Sequence, residues 1–112
     1  SCNSAFSSIG VGLDRNSYGN TLDVLLFNKE LPLDILYSKS ILEVDDSVSD
    51  DDIIQISIGQ GKAQITPMHM NMITCAIAND GLLMKPRFVN RVLAANGSIV
   101  KIFENGEVLK IR

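Results

Sequence analysis

The stretch from Ile58 to Pro86 constrains the fold of this chain more than any other. It begins with an Ile-Gly-Gln-Gly motif, whose glycines are typical of a tight turn with positive dihedral angles or a close backbone approach. Thr66 and Pro67 then have the character of an N-cap and a first helical residue. Aliphatic residues and methionines follow at spacings of three and four, up to an Asn-Asp-Gly sequence that ends at Gly81. The pattern predicts a buried helix that docks after a glycine turn.

The first residues of the chain also show helical spacing. Segment 3–13 carries apolar residues every three to four positions, and these predict one face of a helix: Ala5, Phe6, Ile9 and Leu13. Ser1 or Asn3 is expected to cap this helix, because both side chains can accept a hydrogen bond from a free backbone N–H. Two glycines weaken its last turn.

Two more helices are expected before the glycine turn. Residues 18–27 form one, with apolar side chains on more than one side. Residues 29–47 lack a period and predict a long connection that packs through single side chains. Ser49 then begins a short helix, with Asp52 in the capping-box position, and Gly59 ends it.

The periodicity changes to two near the C-terminus. Residues 88–94 and 98–103 predict strands joined by an Ala-Asn-Gly turn, and residues 108–111 predict a third strand or the start of a linker. The expected fold is α+β, mostly helical, with a C-terminal antiparallel β-hairpin. We divide it into a helical portion, 1–86, and a hairpin portion, 87–112.

Composition limits the possible classes of protein. The chain has 112 residues, of which 46% are hydrophobic and 21% charged, so one modest domain with an aliphatic core is expected. The net charge of −3 and the lack of a cluster of cations argue against nucleic acid as a partner. No apolar run is long enough to span a membrane, and no signal peptide opens the chain. Without an initiator methionine, the chain is expected to be a piece of a larger protein.

Few residues suit metal or redox chemistry. His69 is the only histidine, which excludes a multi-histidine metal site, and a partly exposed structural role is expected for it. Cys75 falls in an apolar helical stretch and is expected to be an inert core thiol, although pairing with Cys2 stays open. The acidic residues of segment 45–52 predict a solvated loop and helix start, since they lack the spacing of a calcium loop. No cofactor is predicted.

Three sequence matches point to a known family. The opening Ser-Cys-Asn-Ser-Ala-Phe, with its Ser1-x-Asn3 triplet, resembles the Ser-Cys-Asn-Thr-Ala-Phe of penicillin-binding proteins. Segment 55–86 resembles a pattern typical of the class B members. Segment 27–32 resembles their Phe-Asn-x-x-Leu-Pro. The chain therefore resembles the transpeptidase domain of penicillin-binding proteins over nearly its whole length.

This resemblance implies a fold and a function. The fold would be part of the β-lactamase/transpeptidase type, and the parent protein would be a D,D-transpeptidase that cross-links peptidoglycan through an acyl-serine intermediate. Ser1 would be a proton-shuttling hydroxyl near the leaving group, and Asn3 would hydrogen-bond the peptide carbonyl of the substrate. Stem peptides and β-lactams would be the ligands of the intact protein. Its location would be the extracytoplasmic face of the bacterial membrane, with an anchor upstream.

The departures from the family pattern concern catalysis. The family acylates a serine in a Ser-x-x-Lys motif that precedes Ser-x-Asn, and it has a Lys-Thr-Gly or Lys-Ser-Gly strand downstream. Ser98 and Lys101 match the first pattern by spacing, but residues i and i+3 of a strand point to opposite faces. The chain is thus expected to be an internal fragment that is inactive alone and that self-associates through faces that would otherwise be covered.

A different class of function is also consistent with the residues. The chain would then be a non-catalytic helical module that binds another protein, since its 112 residues complete no active site. Exposed methionine and isoleucine side chains would form the partner face. The coding sequence on either side would discriminate between the two hypotheses.

Overall fold

The structure is a computed structural model that describes residues 2–111. The helices are α1 (Asn3–Gly12), α2 (Arg15–Val24), α3 (Asp50–Ser57) and α4 (Pro67–Ala78). The strands are β1 (Leu82–Met84), β2 (Arg91–Leu93), β3 (Ile99–Ile102) and β4 (Glu107–Lys110). Four helices with short antiparallel strands confirm the predicted α+β class. No helix within residues 2–111 has the length and apolar character needed to cross a membrane.

The chain divides into two compact units, and each unit consists of two segments that are not consecutive in the sequence. One unit comprises the residues up to Leu31 together with Ser38–His69. The other comprises Pro32–Tyr37 with the residues from Met70 onward. The sequence-based division into 1–86 and 87–112 stays a prediction.

The first two helices differ from the sequence-based expectation at their starts. At α1 the N-cap position is Cys2, whose side chain makes no capping hydrogen bond, so the capping role expected for Asn3 is wrong. The second helix begins three residues earlier than expected, because the carboxylate of Asp14 accepts a hydrogen bond from the Ser17 N–H, 2.8 Å away. An N-cap of this kind satisfies one of the free N–H groups of the first turn.

The caps of α3 and α4 confirm the expected signals. Ser49 Oγ accepts a hydrogen bond from the Asp52 N–H at 3.2 Å. Thr66 Oγ1 accepts one from the His69 N–H at 3.3 Å, and Pro67 is the first residue of α4. Beyond the end of α4, the N–H of Gly81, at φ 80°, donates to the carbonyl of Ala76.

The connection between α2 and α3 has no regular structure, as predicted, but it is tied down by hydrogen bonds. Asn28 donates from Nδ2 to the Leu42 carbonyl at 2.9 Å and accepts at Oδ1 from the Leu42 N–H at 3.1 Å. Leu26 and Asn28 have φ values of 67° and 61°, a region that is unusual for a branched residue such as leucine. The side-chain bonds of Asn28 hold this strained turn in place.

The strands form two separate two-stranded antiparallel sheets. The expected hairpin is present as β2 and β3, both shorter than predicted, with an irregular register between Val92 and Leu93. The expected third strand is also present as β4, but it pairs with β1. The sequence did not predict β1, which directly follows Gly81 and has only three residues.

The core side chains are mostly aliphatic, as the composition predicted. Those of the first unit are Leu22, Phe27, Leu31, Leu42, Val44 and Ile53, and those of the second are Met72, Ala76 and Leu83. Two expectations about burial are wrong. His69 is buried, with 1% of its surface exposed, because its ring finds both a hydrogen-bond partner and an aromatic neighbour. Cys75 is an exposed free thiol, because it lies on the side of α4 that also exposes Asn71, four residues earlier.

Candidate active site

Helix α1 presents Asn3, one of the two predicted catalytic residues, at its very start. Asn3 is the first helical residue, and its side chain is exposed. Ser1, the other predicted catalytic residue, lies outside the described residues. Between them, Cys2 is extended (φ −103°, ψ 98°), and its carbonyl accepts a hydrogen bond from the Phe6 N–H at 3.2 Å. The chain thus passes from one extended residue directly into α1 at Asn3.

A small-residue contact holds α1 against α3. Gly10 is the buried residue of α1, and it lies directly over Ser57, close to Ile53. Ser57 Oγ donates a hydrogen bond to the Ile53 carbonyl at 2.6 Å, which keeps the hydroxyl along the axis of α3. Just beyond α1, the Arg15 guanidinium pairs with the carboxylate of Asp50 at the other end of α3.

These two contacts link this part of the chain to both ends of α3. Gly10 meets the last turn of α3, and Arg15 meets its first residue. Asn3 precedes Gly10 by seven residues, or about 10 Å of helix.

The apolar face predicted for α1 is not buried. The helix is present as predicted, but Phe6, Ile9 and Leu13 are 52%, 61% and 47% exposed. The close contact between α1 and α3 lies instead at Gly10, which is buried against Ser57 and Ile53.

The turn after α3 has the conformation that its sequence predicted. Gly59 and Gly61 both have φ 79°, a region that L-residues with a Cβ rarely adopt. The Gly59 N–H donates to the Ile56 carbonyl at 2.9 Å, and the Gln60 N–H to the Gln55 carbonyl at 2.8 Å. These bonds end α3 with a compact turn.

The residues that match Ser-x-x-Lys by spacing, Ser98 and Lys101, do not form a nucleophile–base pair. Ser98 lies in the hairpin turn, and its hydroxyl donates to Asn96 Oδ1 at 2.7 Å. Lys101 lies in β3, and its ammonium group sits over the Phe103 ring, 4.5 Å from the centroid. The two side chains have different partners, which agrees with the interpretation that the match is coincidental.

The acidic segment before α3 lines a cavity of about 260 Å³ together with apolar side chains such as Ile41 and Ile56. Asp45 and Asp46 are exposed, as expected of a solvated loop. Hydrogen bonds from the Ser47 hydroxyl and N–H lower the pKa of Asp45 from its ordinary value, because they stabilise the charged carboxylate. Within residues 2–111, histidine, cysteine and carboxylate side chains form no group of three that could hold a metal ion.

The sequence did not reveal the close contact at Gly10. From its sequence position, this glycine predicts only a less stable last turn of the first helix. A signal was present nonetheless, since a glycine inside a helical pattern that is not the C-cap can mark close packing against a neighbouring element. The sequence alone could not identify Ser57 as that neighbour, which is 47 positions away.

The sequence matches one protein family. The profile described as "Penicillin binding protein transpeptidase domain" matches residues 1–108. No curated protein matches the sequence significantly.

Solved structures share the fold. The crystal structure of PBPA from Mycobacterium tuberculosis superposes with a TM-score of 0.81 at 18% identity, covering 97% of this chain and 25% of that one. Its imipenem acyl-enzyme complex gives a TM-score of 0.80 at 18% identity, with the same coverage. The D,D-transpeptidase domain of a peptidoglycan glycosyltransferase from Eggerthella lenta gives 0.78 at 23% identity, covering 96% of this chain and 30% of that one. The chain thus spans a quarter to a third of the length of these solved chains.

Proposed function

This chain belongs to the penicillin-binding protein transpeptidase family, and we propose that it forms part of a serine-type D,D-transpeptidase that cross-links peptidoglycan. The match to the family profile over residues 1–108 carries this proposal. The intact enzyme would supply the rest of the domain, including the nucleophile.

The proposed reaction has two acyl transfers. A serine Oγ outside this chain attacks the carbonyl of the penultimate D-alanine of a stem peptide, and the terminal D-alanine leaves with a proton. The amine of a neighbouring stem peptide then attacks the acyl-serine, releases the serine and forms the cross-link. The present chain carries no Ser-x-x-Lys motif before Ser-x-Asn, so we expect it to be inactive alone.

Within that reaction, Ser1 and Asn3 are assigned the roles that the family resemblance implies. The Ser1 hydroxyl relays a proton toward the leaving amine, since a hydroxyl both donates and accepts. The Asn3 amide hydrogen-bonds the peptide carbonyl of the bound substrate. Its exposed position at the start of α1 is compatible with such a contact.

β-Lactams are proposed as inhibitors of the intact protein. The solved PBPA structures include an acyl-enzyme complex with imipenem, so that protein is acylated by a β-lactam. The same serine would be acylated here, and the extracytoplasmic face of the membrane would be the site of action. An anchor is expected in the part of the protein that precedes this chain.

Reading the coding sequence on both sides of the chain tests this proposal first. We expect a Ser-x-x-Lys motif upstream of Ser1 and a Lys-Thr-Gly or Lys-Ser-Gly motif downstream of Arg112. Finding neither would contradict the proposal. It would favour a non-catalytic interaction module, for which the exposed apolar residues of the β2–β3 hairpin would provide the contact surface.

A further inference from the structure

Helix α1 has few means of holding its start in place. Cys2 provides no side-chain cap, and the apolar side chains of the helix are largely exposed. Gly10 is the residue of α1 that is buried, and it is buried against α3. The contact at Gly10 and the ion pair of Arg15 just beyond the helix both link this part of the chain to α3.

The contact at Gly10 leaves no room for a side chain. A Cβ built on Gly10 would lie 2.8 Å from the Cβ of Ser57 and would overlap its Oγ. The hydroxyl could rotate away only by losing its bond to the Ile53 carbonyl, and the Ser57 Cβ cannot move without its backbone. Any larger residue at position 10 would thus push α1 away from α3.

Gly10 and Asn3 lie on the same side of α1. They are seven residues apart, and positions i and i+7 of an α-helix share one face. A displacement of α1 at Gly10 is therefore carried along the helix to Asn3, which is exposed and directly follows an N-cap residue, Cys2, that makes no side-chain capping bond.

From these observations we propose that Gly10 is a positioning residue for Asn3. It lets α1 pack against Ser57 at backbone distance and so sets where the Asn3 amide meets the substrate. This inference rests on the proposed function of Asn3. It adds a residue that neither touches the substrate nor belongs to the Ser-x-Asn motif.

The test measures acylation by benzylpenicillin in the complete transpeptidase that contains this chain. Gly10→Ala should lower the acylation rate constant by about tenfold or more, because a displacement of about 1 Å can have an effect of that size. Gly12→Ala is the matched control, since a Cβ there meets no atom within 4 Å. It should react at the wild-type rate.

A compensating change separates positioning from general damage. Ser57→Gly removes the atoms that a Cβ at position 10 would meet closely and leaves Ile53 Cγ2 at 3.5 Å, an ordinary contact. The double variant Gly10→Ala/Ser57→Gly should recover the rate of Ser57→Gly alone. If Gly10→Ala does not fold, Ser57→Thr adds one methyl group to the same contact and should lower the rate in the same direction. A folded Gly10→Ala variant with the wild-type rate, or a loss that Ser57→Gly does not restore, would overturn the proposal.

A second readout separates this proposal from the proposed function. The side-chain amide resonances of Asn3 are followed by NMR in the 112-residue chain, which needs no catalysis. We expect their chemical shifts to change in Gly10→Ala and to keep the wild-type values in Gly12→Ala. In the double variant they should return to the wild-type values. If the complete protein is never acylated, the proposed function fails, and these shifts still decide the positioning role. Unchanged Asn3 resonances in a folded Gly10→Ala chain would refute it.

Discussion

At the scale of single residues, His69 connects two parts of the first unit that are far apart in sequence. Its Nε2 lies 2.7 Å from the Leu25 carbonyl, and its ring packs against Phe27 with 4.9 Å between centroids. Because a carbonyl only accepts hydrogen bonds, Nε2 carries the proton. Nδ1 is buried and has no partner among the residues that the structure describes. One side chain thereby fixes the end of α2 to the start of α4.

Replacing His69 should lower stability measurably. His69→Leu keeps the site filled but leaves the Leu25 carbonyl without its donor, which costs about 1–3 kcal/mol for a buried group. We expect the free energy of unfolding, measured in urea, to fall by this amount. Met70→Ala is the control, because Met70 is 48% exposed and such positions change stability by about 0.5 kcal/mol or less. Equal effects of the two substitutions would contradict the role given to His69.

The burial of His69 also shows what local sequence cannot reveal. The start of α4 could be predicted from Thr66 and Pro67, because capping depends on residues that are close together in the sequence. The partner of His69, by contrast, is a backbone carbonyl 44 residues earlier in the chain. A sequence window around a residue holds no information about such a partner, so a polar residue beside apolar ones was expected to be partly exposed.

At the scale of elements, the start of α2 carries a charge that should make its stability depend on pH. Hydrogen bonds from Ser17 lower the pKa of Asp14 below its ordinary value of 3.8. A carboxylate whose pKa is lower in the folded state stabilises that state above the unfolded pKa. This contribution is lost as the pH falls through the lower folded value.

Asp14→Asn tests this linkage, because asparagine can still cap the helix but does not titrate in this range. The wild-type chain should be the more stable of the two at pH 7. Its advantage should shrink as the pH falls below about 4. Unfolding in urea at a series of pH values measures both chains. A difference that stays constant down to pH 2 would show that the Asp14 charge does not contribute.

The elements differ in how well their sequences predict them. Segments with a cap and a clear period, such as α3, α4 and the hairpin, are present where expected. Strand β1 was missed because three residues are too few to show a period, and it exists only through pairing with β4. The packing of α1 was also not evident from its sequence, because the residue that is buried is Gly10 and not one of the large apolar residues.

At the scale of the whole molecule, large apolar side chains are exposed in several elements of the chain. In the β2–β3 hairpin five apolar residues are 42–65% exposed: Val92, Leu93, Ile99, Val100 and Ile102. These hairpin residues provide an apolar surface that association would cover. The family match and the α+β class could both be predicted from sequence. The sequence did not predict which apolar side chains are exposed to solvent.

We therefore expect the isolated chain to self-associate. Light scattering coupled to size exclusion should show a mass that rises with protein concentration. Val100→Lys/Ile102→Lys should lower that mass, because two charges replace exposed apolar side chains. A monodisperse monomer at all concentrations would contradict the expectation.

The central claim is that this chain is part of a transpeptidase and lacks the nucleophile. Intact mass spectrometry after incubation with benzylpenicillin tests it most directly, on this chain and on a protein extended in both directions. We predict a covalent adduct on the extended protein and none on the 112-residue chain. An adduct on neither protein would contradict the account, and an adduct on the chain alone would show that it carries a nucleophile after all.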